Sequence, residues 1–255
     1  MTEQRACEIM ERTVINGSPH ANTAEYIEAL EISIDKLGVN YTREQLKNWI
    51  LVNKYPFLLP KYWNAESMVY EADKDYDYTW TELDAMPDGW RKAFGEMMCE
   101  EIKEELIRCN CLDEYIIIQI KEKYAQLRWY DNGTPIGCNL LQIIDKYSVL
   151  SENICIVCGK PDVPITGISW VTPLCKKCFC TPNDYFSQEH TKEDIDAFKA
   201  EHEKEWEEDY AEDGKMQDSY TVHKWSKENG DEEITYDISE TANKIRAKWR
   251  AEHGE

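Results

Sequence analysis

The chain has 255 residues, of which 42% are hydrophobic and 11% aromatic, so it can bury a core, and disorder of the whole chain is excluded. Fifty Asp and Glu outnumber 29 Lys and Arg, and the net charge of -21 repels a phosphate backbone, so direct nucleic-acid binding is not expected. We find no apolar run of about 18 residues and no signal-peptide pattern in residues 1–16, and therefore expect a cytoplasmic protein without membrane contact.

Ten cysteines are present. In a reducing compartment we expect them to be metal ligands where their spacing allows it, and small buried hydrophobic residues elsewhere, rather than disulfides.

The N-terminal third carries two helical patterns. Apolar residues recur at helical spacing from Asn22 to Leu37, and Gly38 follows them. A second helix is predicted to begin at Thr42, where Gln45 completes a capping box, and to stop before Pro56.

Residues 54–78 lack a clear period and predict an ordered, irregular connection packed through Phe57, Tyr62 and Trp63. After the turn at 87–89, apolar spacing predicts a core helix from Trp90 to Leu106 that ends near Cys109.

The middle of the chain changes from helical to β-type patterning. Crowded β-branched and aromatic residues between Tyr115 and Tyr130 predict two strands that form a hairpin. A turn at 131–133 and a short helix from Leu140 to Tyr147 follow.

Residues 181–238 are strongly acidic, with 19 Asp and Glu against 6 Lys and a net charge of -13. Thr191 and Asp194 predict a helix start, and a sparse apolar stripe continues through the acidic run at Ile195, Phe198, His202 and Trp206. A last helix is predicted after Ser239.

The fold class predicted is α+β, with a helix-rich core, a small antiparallel sheet, a four-cysteine module and an acidic helical extension. The predicted segments are 1–53, 54–151, 152–182 and 183–255.

Two CxxC pairs form the sharpest motif: Cys155 with Cys158, and Cys175 with Cys178, sixteen residues apart. Each pair can direct two sulfurs at one tetrahedral ion about 2.3 Å away, and Gly159 permits the tight turn after the first pair. We therefore predict one structural zinc ion, because four thiolates leave no position for water or substrate. Cys180 and His190 are rival ligands.

The sequence gives only weak evidence for catalytic sites, redox sites or further metal sites. Phosphate loops, nucleophile elbows and metallohydrolase motifs are absent from the sequence, and the five histidines are scattered. The Cys109 and Cys111 pair favours burial at a helix end over a redox or second metal site. Basic residues lie on two candidate faces: Lys121 to Arg128 on the predicted hairpin, and Lys160, Lys176 and Lys177 with Trp170 in the cysteine module.

The segment Ile120 to Tyr130, the following helix and the cysteine motif resemble a block of uncharacterised bacteriophage and prophage proteins, over roughly residues 54–180. That pattern usually has Gly where this chain has Ala125. The resemblance implies the same four zinc ligands and a mobile-element origin.

These observations favour a non-enzymatic, zinc-stabilised protein that binds and inhibits a basic host protein acting on nucleic acid, such as a defence nuclease or CRISPR effector. Carboxylates on a helix can imitate a nucleic-acid backbone, and we predict partner contacts at Glu203, Glu207, Glu208 and Asp209. The alternatives are a solubilising surface only, and a zinc-containing enzyme or accessory factor that acts on nucleic acid through the Lys121 to Arg128 face.

Overall fold

A computed structural model gives the fold, and it describes residues 1–18, 23–135, 137–166, 171–181, 191–226 and 230–254, apart from the side chains of residues 23, 211–213, 224–226 and 230. The chain is α+β, as predicted: helices are combined with two-stranded sheets. It divides into two compact units, one made of Met1–Ala85, Lys103–Gln119 and Tyr130–Cys138, and the other of Met86–Ile102, Ile120–Trp129 and Asn139–Glu255.

Three helices begin the first unit: α1 (Glu3–Met10, continued by a π turn Glu11–Ile15), α2 (Thr23–Leu37) and α3 (Arg43–Lys54). The capping box of Thr42 and Gln45 is confirmed. Helix α1 was not predicted; it buries Ile9 and Met10 against α2 and α3 around the fully buried Trp49. The Trp49 indole donates to Glu3 at 2.9 Å, and this bond links α1 to α3.

The irregular connection predicted after α3 is wrong in part. Strands β1 (Lys61–Asn64) and β2 (Val69–Ala72) form an antiparallel hairpin within it. Phe57 is buried as expected, but Tyr62 and Trp63 are about half exposed and do not fill a core. Aromatic residues fit a half-exposed pleated strand as well as a core, so composition alone misleads here.

Helix α4 spans residues 88–108 and includes a π-helical stretch, Arg91–Gly95. Its predicted extent is confirmed. In the second unit its side chains Trp90, Phe94 and Met98 are fully buried, and Phe94 stacks on Tyr147 with ring centroids 5.3 Å apart.

Strands β3 (Ile117–Lys123) and β4 (Gln126–Asp131) pair as predicted. The two residues between them, Tyr124 and Ala125, both have positive φ, near 55° and 63°. A tight two-residue turn therefore forms without glycine. Helix α5 (Leu140–Ser151) follows, and its Ser151 hydroxyl accepts a hydrogen bond from the Leu127 N–H.

The acidic end of the chain is less helical than predicted. Helix α7 (Lys192–Asp213) begins at the predicted Thr191 cap, and α8 (Ser239–His253) is confirmed. Between them, strands β7 (Ser219–Ser226) and β8 (Gly230–Asp237) form a hairpin that was not predicted. The hydroxyl of Tyr220 holds this hairpin to the Gln142 carbonyl at 3.1 Å.

Candidate metal centre

The two CxxC pairs sit on short turns that follow α5. The Cys155 N–H donates to the Lys160 carbonyl at 2.8 Å, and the Gly159 N–H donates to the Cys155 carbonyl at 2.9 Å, so the first pair lies on a closed turn. Cys175 caps the four-residue helix α6 (Lys176–Phe179), and its sulfur accepts from the Cys178 N–H. Between them, strands β5 (Ile165–Thr166) and β6 (Thr172–Pro173) pair antiparallel.

The four predicted cysteine ligands come together. Their sulfurs all lie within 4.8 Å of one another, and Cys158 Sγ is 3.7 Å from Cys175 Sγ. Two sulfurs on a tetrahedral ion with metal–sulfur bonds of about 2.3 Å stand about 3.8 Å apart. The arrangement can hold one tetrahedral metal ion and leaves no vertex for a substrate.

The four adjacent cysteine sulfurs cannot all be ionised unless a cation is bound between them. Hydrogen bonds from the thiols of Cys158 and Cys175 lower the pKa of Cys155, so one thiolate forms readily. Hydrogen bonds with Cys155 and Cys158, burial and the negative charge of Cys155 then raise the pKa of Cys175, while burial and the same charge raise the pKa of Cys178 to about 12. Four adjacent thiolates therefore require a bound positive charge.

Two glycines allow the first turn to dock against the start of α4. Gly159 has φ near 89°, and a Cβ there would lie 2.7 Å from the Gly89 carbonyl oxygen. The Gly89 N–H donates to the Ile156 carbonyl at 2.8 Å, and the Trp90 indole donates to the Ile154 carbonyl at 2.8 Å. Backbone contact this close explains why both positions carry no side chain.

The acidic helix α7 lies on the second turn. Its Trp206 indole donates to the Leu174 carbonyl at 2.8 Å, and the His202 ring lies 5.2 Å from that of Phe179. The predicted apolar stripe thus exists, half-buried against the cysteine module. Helix α7 belongs to the same unit as the centre.

Three of the four residues predicted to contact a partner are exposed, Glu203, Glu207 and Glu208, and each lies within ion-pairing distance of a lysine. Glu203 and Glu207 form ion pairs with Lys176, at 3.2 and 3.0 Å. Glu208 approaches Lys204 at 3.9 Å, and Asp209 is half-buried. Lys176 was counted among the basic residues of the cysteine module, and its pairing with an acidic helix is a long-range contact that periodicity cannot reveal.

Three other carboxylates occupy the exposed side of α7 and form no ion pair within the described chain: Glu193, Asp196 and Glu201. Sequence reasoning missed this distinction. The helical period could not have revealed it, because Glu207 and Glu208 lie at least as far around the helix from the apolar stripe as Asp196 and Glu201 do.

The remaining predicted positions lie outside the four-sulfur cluster or outside the described residues. Cys180 is not a member of the four-sulfur cluster. His190 and Trp170 lie outside the described residues. Of the Lys121 to Arg128 face, Lys121 and Arg128 are half-buried, and the Glu122 carboxylate between the lysines accepts from the Ala125 N–H at 2.8 Å.

One expectation about cysteines is wrong. Cys109 and Cys138, which are 29 residues apart, form a disulfide at the end of α4. Cys111 is buried as predicted. Disulfide partners depend on tertiary contacts, and a pair outside any CxxC spacing gives no signal in a single sequence.

The chain matches no protein-family model, no curated protein and no solved structure. Within the described part of the chain, every helix is too short or too polar to cross a bilayer.

Proposed function

We propose that this chain is a non-enzymatic, zinc-stabilised protein that binds a basic, nucleic-acid-handling host protein through the outer face of α7. The observation that carries the proposal is a set of three exposed carboxylates, Glu193, Asp196 and Glu201, that form no ion pair with the described residues and lie on a helix fixed to the four-cysteine module.

Zinc is the metal that the donor set favours. Four thiolates at tetrahedral positions are typical of structural zinc sites, whereas calcium and magnesium prefer oxygen ligands. The ion would join the first turn to the second turn, on which α7 lies. Its role would be to hold a binding surface in place.

The charge density of α7 supports mimicry of a nucleic-acid strand. Its 22 residues contain 11 Asp and Glu and 3 Lys, a net charge of 3 − 11 = -8. At 1.5 Å per residue the helix is about 33 Å long, so it carries one net negative charge per about 4 Å. One strand of B-DNA carries one per about 3.4 Å. A groove that binds nucleic acid through Lys and Arg would therefore attract this helix.

The test compares two triple charge reversals of equal size. One replaces Glu193, Asp196 and Glu201 by Lys. The control replaces exposed acidic residues of the other unit, which also form no ion pair within the described chain: Glu31, Glu66 and Asp75. Both variants and the wild type are immobilised and exposed to host lysate at low and high salt, and captured proteins are quantified by mass spectrometry.

We expect the wild type and the control to retain a basic nucleic-acid-binding protein that added nucleic acid and high salt release, and the α7 variant to lose it. Because bacterial defence nucleases fit the resemblance to bacteriophage proteins, they are the first partners to look for. Equal capture by all three proteins would contradict the proposed surface, and hydrolysis of added nucleic acid by the purified chain would contradict the non-enzymatic role.

A further inference from the structure

Three cysteines gather at the end of α4, in the unit that lacks the four-cysteine centre. Cys109 and Cys138 form a disulfide there. Cys111 is a free thiol, and its sulfur lies 3.9 Å from Cys138 Sγ. Cys138 is therefore bonded to one cysteine and in contact with a second.

A fixed positive charge lies beside the disulfide. Arg108 Nη2 is 3.3 Å from Cys109 Sγ, and the same nitrogen donates to the Gly137 carbonyl at 2.7 Å. Two further bonds, at 2.7 and 2.6 Å, fix the guanidinium to Glu105. The Glu105 carboxylate also lies near Cys109 Sγ, at 3.6 Å, but the guanidinium nitrogen is nearer, so Arg108 favours Cys109 as the leaving group in thiol–disulfide exchange.

The same atoms are poorly suited to a second metal ion. Glu105, Cys109 and Cys138 place one ligand atom each within 4.8 Å of the others. However, the two sulfurs are bonded to each other, and Arg108 holds both oxygens of Glu105 and would repel a cation. Redox chemistry of sulfur fits this arrangement better than metal binding.

We propose that Cys138 is the shared sulfur of a thiol–disulfide exchange site and pairs alternately with Cys109 and Cys111. Cys111 loses its proton to water, and its thiolate attacks Cys138 Sγ. The Cys111–Cys138 bond forms, the Cys109–Cys138 bond breaks, and the electron pair leaves on Cys109 as a thiolate beside Arg108. The number of disulfides is unchanged, so the step needs no oxidant or reductant.

The exchange has a physical consequence for the chain. The present disulfide joins Cys138 to the residue directly after α4, whereas the alternative would join it to the third residue after the helix. Burial raises the pKa of Cys111, so this thiol is mostly protonated and the Cys109–Cys138 pair is the resting form.

Single Cys→Ser variants of the full chain test which pairs can form. Each zinc-loaded protein is reduced, re-oxidised with oxidised glutathione, unfolded, alkylated and weighed to count free thiols. We expect eight free thiols in the wild type with its ten cysteines, seven in Cys109→Ser and in Cys111→Ser, and nine in Cys138→Ser. Nine free thiols in Cys109→Ser would overturn the proposal, because Cys111 would then be unable to reach Cys138.

The wild type reports whether both pairs coexist. Fragmentation between Cys109 and Cys111 in the linked peptide distinguishes the two bonds, and we expect both. Arg108→Gln should lower the Cys111–Cys138 fraction severalfold. Detection of the Cys109 bond alone in the wild type would overturn the proposal, and an unchanged ratio in Arg108→Gln would overturn the stabilisation of the leaving group.

Discussion

Arg246 of α8 binds the Asp162 carboxylate through two parallel hydrogen bonds, each 2.9 Å long, from Nε to Oδ2 and from Nη2 to Oδ1. Asp162 Oδ1 also accepts from the Met216 N–H at 3.0 Å. Asp162 lies between the two cysteine turns and has φ near 55°. The Asp162 carboxylate therefore connects both α8 and the segment after α7 to the cysteine module.

Asp162→Asn should destabilise the protein by about 2 kcal/mol at pH 7, because hydrogen bonds to a charged group contribute about 1.5–3 kcal/mol and Asn can keep only part of them. Burial opposes the ionised form of Asp162, but bonds from Arg246 and Met216 outweigh it and lower its pKa below the ordinary 3.8. The stabilisation is therefore present above pH 4 and lost as the pH falls through the lower folded value. Urea unfolding measures it.

The control for this change is Glu31→Gln, which removes an exposed charge. We expect no measurable change there. Equal stability of Asp162→Asn and the wild type at pH 7 would show that the ion pair does not fasten the module.

Gly159→Ala should cost more than Gly38→Ala, although both glycines have positive φ. Each substitution meets the left-handed backbone penalty of about 1 kcal/mol. At Gly38 the added Cβ meets open space, whereas at Gly159 it lies 2.7 Å from the Gly89 carbonyl oxygen. We expect about 1–3 kcal/mol of additional destabilisation at Gly159 from overpacking, measured by thermal unfolding. Equal losses would contradict the close docking of the first turn.

Local signals explain what the sequence predicted well. The capping box at Thr42, the change of period at Tyr115 and the CxxC pairs are each encoded within a few residues, and all appear in the structure. The cysteine cluster follows from spacing because two intervening residues suffice to place both sulfurs of a pair.

Long-range contacts explain what it predicted poorly. The Cys109–Cys138 disulfide, the Lys176 ion pairs and the Arg246–Asp162 pair join residues far apart in the chain. The β7–β8 hairpin was missed because its strands carry many charges, which are depleted in strands and obscured the alternation.

Glu82 should make stability fall as the pH rises from about 4.5 to 7. Burial raises the pKa of its carboxyl from 4.5 to about 7, so the folded state binds a proton that the unfolded chain releases at lower pH. Stability contributed by the protonated form is therefore lost across this range. Glu82→Gln should be more stable than the wild type at pH 8 and nearly equal at pH 4. A constant difference between the two proteins in urea titrations at both pH values would contradict this assignment.

Tyr124→Asn should stabilise the β3–β4 turn by a few tenths to about 1 kcal/mol. Tyr124 is 72% exposed and has φ near 55°, a conformation that Asn tolerates better. The contact of Lys123 with the Tyr124 ring, 5.1 Å from its centroid, is lost and offsets part of the gain. Chemical unfolding measures the change, and a loss above 1 kcal/mol would show that Tyr124 has a packing role.

Metal content tests the central claim, that Cys155, Cys158, Cys175 and Cys178 hold one zinc ion on which the α7 surface depends. Elemental analysis and native mass spectrometry are applied to the wild type, to Cys158→Ser and to Cys7→Ser, whose cysteine is buried in the other unit. We expect one zinc per chain in the wild type and in Cys7→Ser, and substantially less in Cys158→Ser, with a lower melting temperature. Full zinc occupancy in Cys158→Ser, or none in the wild type, would contradict the account.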